Sequence, residues 1–246
     1  MHLSFVSCLI LPDLTTMSSS FSGGRADNAL ALPVPSGYAE LSTAEVSDAL
    51  DSLGLPGSAL GIAPVGAGGR LLGRAFTVRY APADIDPGTV GDYIDDVPAG
   101  AVLVLDNGGR VDCTVWGGIL TEVASRRGIA GTVIHGVCRD ADTASAFQYP
   151  LFSRGRFMRT GKDRVQVGEV NGDVSLGDVR VRPGDILLGD SDGVVVVPRA
   201  REAEVLAVAL RTRDAEHAIV DNVRAGMSLR DARTAHGYHT LQRRGR

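Results

Sequence analysis

An arginine and an aspartate stand side by side at the end of a strand-like run, Gly131-Thr132-Val133-Ile134-His135-Gly136-Val137-Cys138-Arg139-Asp140. Arginine presents a rigid fork that matches a carboxylate. Aspartate is a hard oxygen ligand of the kind that Mg²⁺ and Mn²⁺ take. Ligands of open α/β sheets collect outside the carboxyl ends of the strands. Arg139 and Asp140 together therefore suggest a place for a small carboxylic acid held on a divalent metal. The competing reading is an ordinary ion pair at a strand end.

A second group strengthens the chemical reading. Gly117-Gly118-Ile119-Leu120 opens a helix-like segment, and glycines at a helix start leave backbone N–H groups open to an anion. Twenty residues separate Gly118 from Arg139. In a parallel β-α-β crossover the helix start and the end of the next strand can share one sheet edge. The glycine amides and Arg139 could then grip one carboxylate beside a metal on Asp140.

Other chemistries find less support. Lys162 is the only lysine among 25 basic residues, and it lies between Gly161 and Asp163 in a polar stretch. Schiff-base chemistry needs a desolvated lysine, so a carbanion here would be stabilised by a metal instead. Gly189-Asp190-Ser191-Asp192-Gly193 has the spacing of a hydrolase elbow, but it leads into Val194-Val195-Val196-Val197, a strand, where an elbow needs a helix. It reads as a hairpin turn. Gly66-Ala67-Gly68-Gly69 lacks the strand before and the helix after that a dinucleotide site requires. Cys8, Cys113 and Cys138 form no Cys-x-x-Cys motif, and the histidines lack zinc-ligand spacing. An odd cysteine count without such motifs fits a reducing cytoplasm.

The elements that must position these residues follow from periodicity. Ser42-Thr43-Ala44-Glu45 is a capping box, and Val46, Ala49, Leu50 and Leu53 make one helical face up to Gly54. Leu72 to Tyr80 alternates like a strand, and Ala101 to Leu105 reads as a fully buried one. Asp106-Asn107-Gly108-Gly109 is expected to close it with a turn. The spacing predicts a helix over Gly117–Arg127 with Ile119, Leu120, Val123 and Ala124 inward, then the strand Gly131–Cys138 and a short helix over Ala141–Phe147. Val165 to Val197 is β-rich with tight turns. A long helix follows from about Arg199 to Arg224, with Val205, Val208, Ala209, Ile219, Val220 and Val223 on its apolar face.

With 246 residues, 44% hydrophobic and 22% charged, the chain can bury one substantial core. Its net charge of −4 and scattered arginines argue against a nucleic-acid-binding face. No apolar run reaches the roughly 18 residues of a membrane span. Residues 1–36, rich in Ser, Gly and Pro towards their end, read as a disordered arm or a start placed too far upstream. Residues 37–226 read as the catalytic domain and 227–246 as a C-terminal tail.

At this point the pattern resembles a known family. Gly118, twenty residues, then Arg139-Asp140, together with Trp116-Gly117-Gly118, Gly128-Ile129-Ala130-Gly131, Pro183-Gly184-Asp185 and Asp190 to Pro198, resembles the RraA-like family. That family includes divalent-metal-dependent 4-hydroxy-4-methyl-2-oxoglutarate and 4-carboxy-4-hydroxy-2-oxoadipate aldolases, and the regulator of ribonuclease activity A. The resemblance implies a compact α/β sandwich with a swivelling β/β/α core. It implies a homotrimer, or a trimer paired into a hexamer, with active sites between subunits. Pyruvate would bind at Gly117, Gly118, Ile119 and Leu120 and to Arg139, with Mg²⁺ or Mn²⁺ on Asp140. Glu216 would reach a neighbouring subunit's site and handle protons. The substrate would be a small 2-oxo acid, cleaved by aldolase or oxaloacetate decarboxylase chemistry. The alternative is a non-enzymatic protein that binds and regulates a ribonuclease. Two departures stand out. Thr143 stands where aldolase members often carry an acid, and His135 stands where the family commonly has an aspartate. His135 is expected to be a buried structural residue.

Overall fold

A computed structural model describes residues 30–238 of the chain, apart from Ala31 and Gly68. Most of the expected arm, 1–36, lies outside the described residues. Regular structure starts with a 3₁₀ turn at Ser36–Glu40, which buries Tyr38 completely. Just before it, the carbonyls of Leu32 and Pro33 accept hydrogen bonds from the buried Arg74. The packed body therefore begins a few residues ahead of Leu41.

Helix α1 (Thr43–Ser52) starts with the expected capping box: Ser42 Oγ accepts from the Glu45 amide, and the Glu45 carboxylate accepts from the Ser42 amide. Ten strands follow among the described residues: β1 (Ala63–Pro64), β2 (Leu71–Pro82), β3 (Val102–Thr114), β4 (Gly131–Cys138), β5 (Leu151–Arg156), β6 (Val165–Val170), β7 (Val174–Leu176), β8 (Val179–Val181), β9 (Ile186–Asp190) and β10 (Gly193–Val197). Helix α2 (Gly118–Arg126) links β3 to β4, and α3 (Ala141–Ala146) links β4 to β5. Helices α4 (Glu202–Arg224) and α5 (Leu229–Ala235) follow β10.

The main sheet runs in the order β1-β5-β4-β3-β2-β9-β10, with β6 also paired to β2. Strands β2 to β5 are mutually parallel, and β1, β6 and β9 join them antiparallel. Strands buried on both faces read as apolar runs, which is why Val102–Leu105 and Gly131–Ile134 lie wholly inside. One face packs α2, α3, Trp116 and Tyr149; the other packs the β7–β8 hairpin. A third cluster joins α1, β9, β10 and α4.

Three expectations need correction. Asp106-Asn107-Gly108-Gly109 does not turn the chain back. It is a bulge within β3: the register with β4 jumps between Asp106 and Arg110, and Gly108 and Gly109 take φ of +60° and +69°. Ile119 is 83% exposed, and Thr121 takes the inward place on α2. On α4, Val220 and Val223 are exposed, while Thr212 is buried beside Val205, Ala209 and Ile219. On both helices the packing partner, which local spacing does not reveal, decides the inward face. The expected C-terminal tail carries α5, whose Ala232 is buried and whose following residue, His236, bonds Asn222 through Nε2 at 2.8 Å.

Candidate active site

The β3–α2–β4–α3 path brings the glycine pair and the Arg-Asp pair together. Trp116, just before the glycines, is anchored on every side. Its amide donates to Thr114 Oγ1 and its carbonyl accepts from the same hydroxyl. Its indole N–H donates to Thr121 Oγ1 at 2.9 Å, and its ring stacks on Tyr149 with centroids 6.1 Å apart. The Trp116 carbonyl also accepts from the Arg139 amide at 3.1 Å. This last bond ties the helix start directly to the strand end.

Asp140 is the N-cap of α3, yet its side chain does not cap that helix. It occupies the left-handed region, φ 57° and ψ 42°, which aspartate tolerates better than most residues. Its carboxylate turns instead towards α2, where Oδ2 accepts from the Gly118 amide at 2.8 Å. Arg139 Nε lies 3.6 Å from the same oxygen. Both side chains are more than 40% exposed, so the ion pair itself stabilises the fold little. Asp140 Oδ1 makes no hydrogen bond among the described residues. A Cβ on Gly117 would stand 2.9 Å from Asp140 Oδ2 and 3.1 Å from Arg139 Nε. A side chain there would have to push the Asp140 carboxylate or the Arg139 guanidinium aside.

The arrangement refines the expected grip. The Gly118 amide is taken by Asp140 itself, so the anion-binding capacity of the helix start and the acid are already coupled. Arg139, Asp140, Gly117, Gly118, Ile119 and Leu120 all line one cavity of about 510 Å³. Its far wall comes from a segment that motif reading passed over: Val90, Gly91, Asp92, Ile94 and Asp95. The one sequence signal was Gly91, whose missing Cβ lets Leu120 approach: a Cβ would stand 3.0 Å from Leu120 Cδ2. Thr143 faces the site, with Oγ1 3.3 Å from where a Gly118 Cβ would stand; Asp142 is exposed.

Glu216 does not join this cavity within one chain. It lies on α4 beside α1, where burial, and then the carboxylates of Asp48 and Glu45, raise its pKa against the opposing influence of His217. His135 is half-buried, and its Nδ1 meets Asp106 Oδ1 at 3.1 Å.

The donor set near Asp140 suits a hard divalent cation. One carboxylate oxygen is free of hydrogen bonds among the described residues, and neither His nor Cys lines the cavity. No group of three or more His, Cys, Asp or Glu is arranged for a metal among those residues. Mg²⁺ is commonly held by one or two carboxylates and completes its shell with water and substrate oxygens.

A family model for RraA-like proteins, described as Aldolase/RraA, matches residues 43–196. The chain belongs to the RraA-like family. Protein DlpA of Legionella pneumophila is 40% identical over 200 residues, which cover 80% of this chain and 32% of DlpA. The chain thus spans about a third of that relative's length. A Halalkalibacterium halodurans protein provisionally named a 4-hydroxy-4-methyl-2-oxoglutarate aldolase is 35% identical over 194 residues, 76% of this chain and 89% of that protein. Among solved structures, an uncharacterized protein of Pseudomonas syringae pv. tomato is 43% identical with a TM-score of 0.75, over 84% of this chain and 97% of that one. Streptomyces coelicolor RraAS2, described as an unusual member of the RNase ES inhibitor RraA family, is 26% identical with a TM-score of 0.66, over 74% of this chain and 92% of its own. The mixed α/β architecture expected of an RraA-like member is the one observed.

Proposed function

We propose that this chain is a divalent-metal-dependent lyase that releases pyruvate from a small 2-oxo acid in a reducing cytoplasm. The reaction would be aldol cleavage of a 4-hydroxy-4-methyl-2-oxoglutarate type of substrate, decarboxylation of oxaloacetate, or both. The observation that carries this reading is the convergence of Arg139, Asp140 and the α2 amides on one cavity. The provisional aldolase name of the H. halodurans relative supports a lyase role in general.

A Mg²⁺ or Mn²⁺ ion bound at Asp140 would supply Lewis-acid polarisation of the substrate's keto and carboxylate oxygens. Arg139 would hold the substrate carboxylate and stabilise the negative charge that grows on the keto oxygen. The amides of Gly117, Ile119 and Leu120 would orient the same carboxylate, while the Gly118 amide holds Asp140 in place. Ile94, Leu120 and Val123 line the cavity and would give the substrate apolar surface to pack against. Glu216, supplied by a second copy in a trimer or hexamer, would handle the proton; its raised pKa suits a group that must gain and lose one.

The test is a coupled assay for pyruvate, using the full chain with oxaloacetate and with 4-hydroxy-4-methyl-2-oxoglutarate, with and without added Mg²⁺ or Mn²⁺. We expect metal-dependent release, reduced on the order of 100-fold or more in Asp140→Ala. No metal-dependent pyruvate from either compound would overturn the proposal. The likeness to RraAS2 favours a second reading, a regulator that binds a ribonuclease. Capture of a purified ribonuclease by a chain that releases no pyruvate would establish it.

A further inference from the structure

The sheet carries a second polar constellation on its other face. Asp106 of β3 pairs in register with His135 of β4. Ile134 of β4 pairs with Ser153 of β5, so the residues after them, His135 and Arg154, point together to the opposite side. That side is the one holding Val104, Val133 and Phe152 beneath the β7–β8 hairpin. Ile134, Trp116 and the helices that frame the Arg139–Asp140 cavity lie across the sheet. Three chemically active side chains therefore line up across three adjacent parallel strands.

Their hydrogen bonding is unequal. Both oxygens of Asp106 are engaged: Oδ1 accepts from the Gly108 amide at 2.9 Å and meets His135 Nδ1 at 3.1 Å, while Oδ2 accepts from the Ser175 amide at 3.0 Å. An aspartate on Nδ1 places a proton there and orients the ring, which leaves Nε2 to act outward. His135 Nε2 has no hydrogen bond among the described residues. Arg154 is exposed and has no ion pair among them either, whereas its neighbour Arg110 is held by Asp112 through two bonds of 2.9 and 2.8 Å. Between the two open nitrogens the chain has Gly109. A Cβ there would stand 2.8 Å from Arg154 Nη1 and 2.9 Å from His135 Nε2. The missing side chain at Gly109 thus lets the guanidinium and the imidazole close on the bulge from two sides, where a Cβ would collide with both.

We infer that Arg154 and His135, which converge at Gly109, form a second ligand site, for a small oxyanion of the phosphate or carboxylate class. Arg154 supplies a fixed charge and a fork of donors. His135 presents Nε2 beside it, with the ring oriented by Asp106 on the far nitrogen. The site is separate from the proposed metal–oxoacid cavity and does not depend on its chemistry.

The experiment follows the His135 ring nitrogens by NMR while the full chain is titrated with inorganic phosphate, and in a parallel arm with acetate; His135→Asn identifies the resonance. We expect a saturable shift of Nε2 in at least one arm. Saturation with phosphate alone assigns the site to phosphate-bearing ligands, and saturation with both admits carboxylates. Arg154→Gln, a change at an exposed position, should weaken the response about tenfold or more and leave pyruvate release unchanged. Arg139→Gln should leave the response intact. No saturable shift in either arm, equal binding by Arg154→Gln, or loss in Arg139→Gln would each overturn the assignment.

Discussion

At the scale of single residues, the proposed chemistry depends on how Asp140 is held. Its left-handed backbone turns the carboxylate away from its own helix and onto the Gly118 amide. Strained conformations persist where surrounding structure over-determines them, and they cluster at functional sites. Gly117 leaves the space that this arrangement needs. Gly117→Ala should therefore displace Asp140 or Arg139 and lower pyruvate release on the order of 100-fold, while thermal unfolding shifts by only a few degrees. Unchanged turnover in Gly117→Ala would mean that the close approach of Asp140 to the helix start is unimportant. The Arg139–Asp140 pair, Gly117 and Gly118 were legible in the sequence, because adjacency at a strand end and glycines at a helix start are local signals. The hydrogen bond between the two groups was not, since it joins residues 22 apart along the chain.

At the scale of elements, the Gly189–Gly193 turn shows what its residues do instead of hydrolysis. Strands β9 and β10 pair antiparallel from Asp190↔Gly193 onward. Asp190 then reaches to the start of α1: Oδ2 accepts from the Thr43 amide at 2.8 Å and Oδ1 from Thr43 Oγ1 at 2.6 Å. Burial pushes the Asp190 carboxyl up, but the bonds from Thr43 and Asp192 and the charge of Arg70 outweigh it and leave its pKa lowered. A depressed folded pKa contributes stability above the unfolded value and loses it as pH falls through the folded one. Asp190→Ala should thus cost about 1–2 kcal/mol at neutral pH, read as a lower urea midpoint. The gap to the parent should narrow below about pH 4. A constant gap down to acid pH would refute the charged cap. Periodicity found α1, α2, β4 and α3 within a residue or two, because caps and glycine stops are encoded next to the elements that they bound. It missed the continuation of β3 past Asp106, because Gly108 and Gly109 look like a turn locally, and only pairing with β4 keeps the strand going.

At the scale of the whole molecule, α4 carries Glu216 against Glu45 and Asp48 of α1. A raised carboxyl pKa means that the charged form costs stability above the folded value, and this cost vanishes below the unfolded one. Glu216→Gln should be slightly more stable at neutral pH, by no more than a few tenths of a kcal/mol because the group is half-exposed. The gain should disappear near about pH 4. Melting curves at the two pH values check this, and a less stable Glu216→Gln at neutral pH would sink it. By itself the sequence determined the order of elements, the glycine-led helix and the strand that delivers Arg139 and Asp140. Those features follow from residue periodicity and capping within a few positions. Only the tertiary structure decided that Ile119 faces outward, that Val90 to Asp95 wall the cavity, and that Asp106, His135 and Arg154 align on the far face. These depend on register between strands and on which surfaces pack together, and both are set by contacts between residues far apart in the chain.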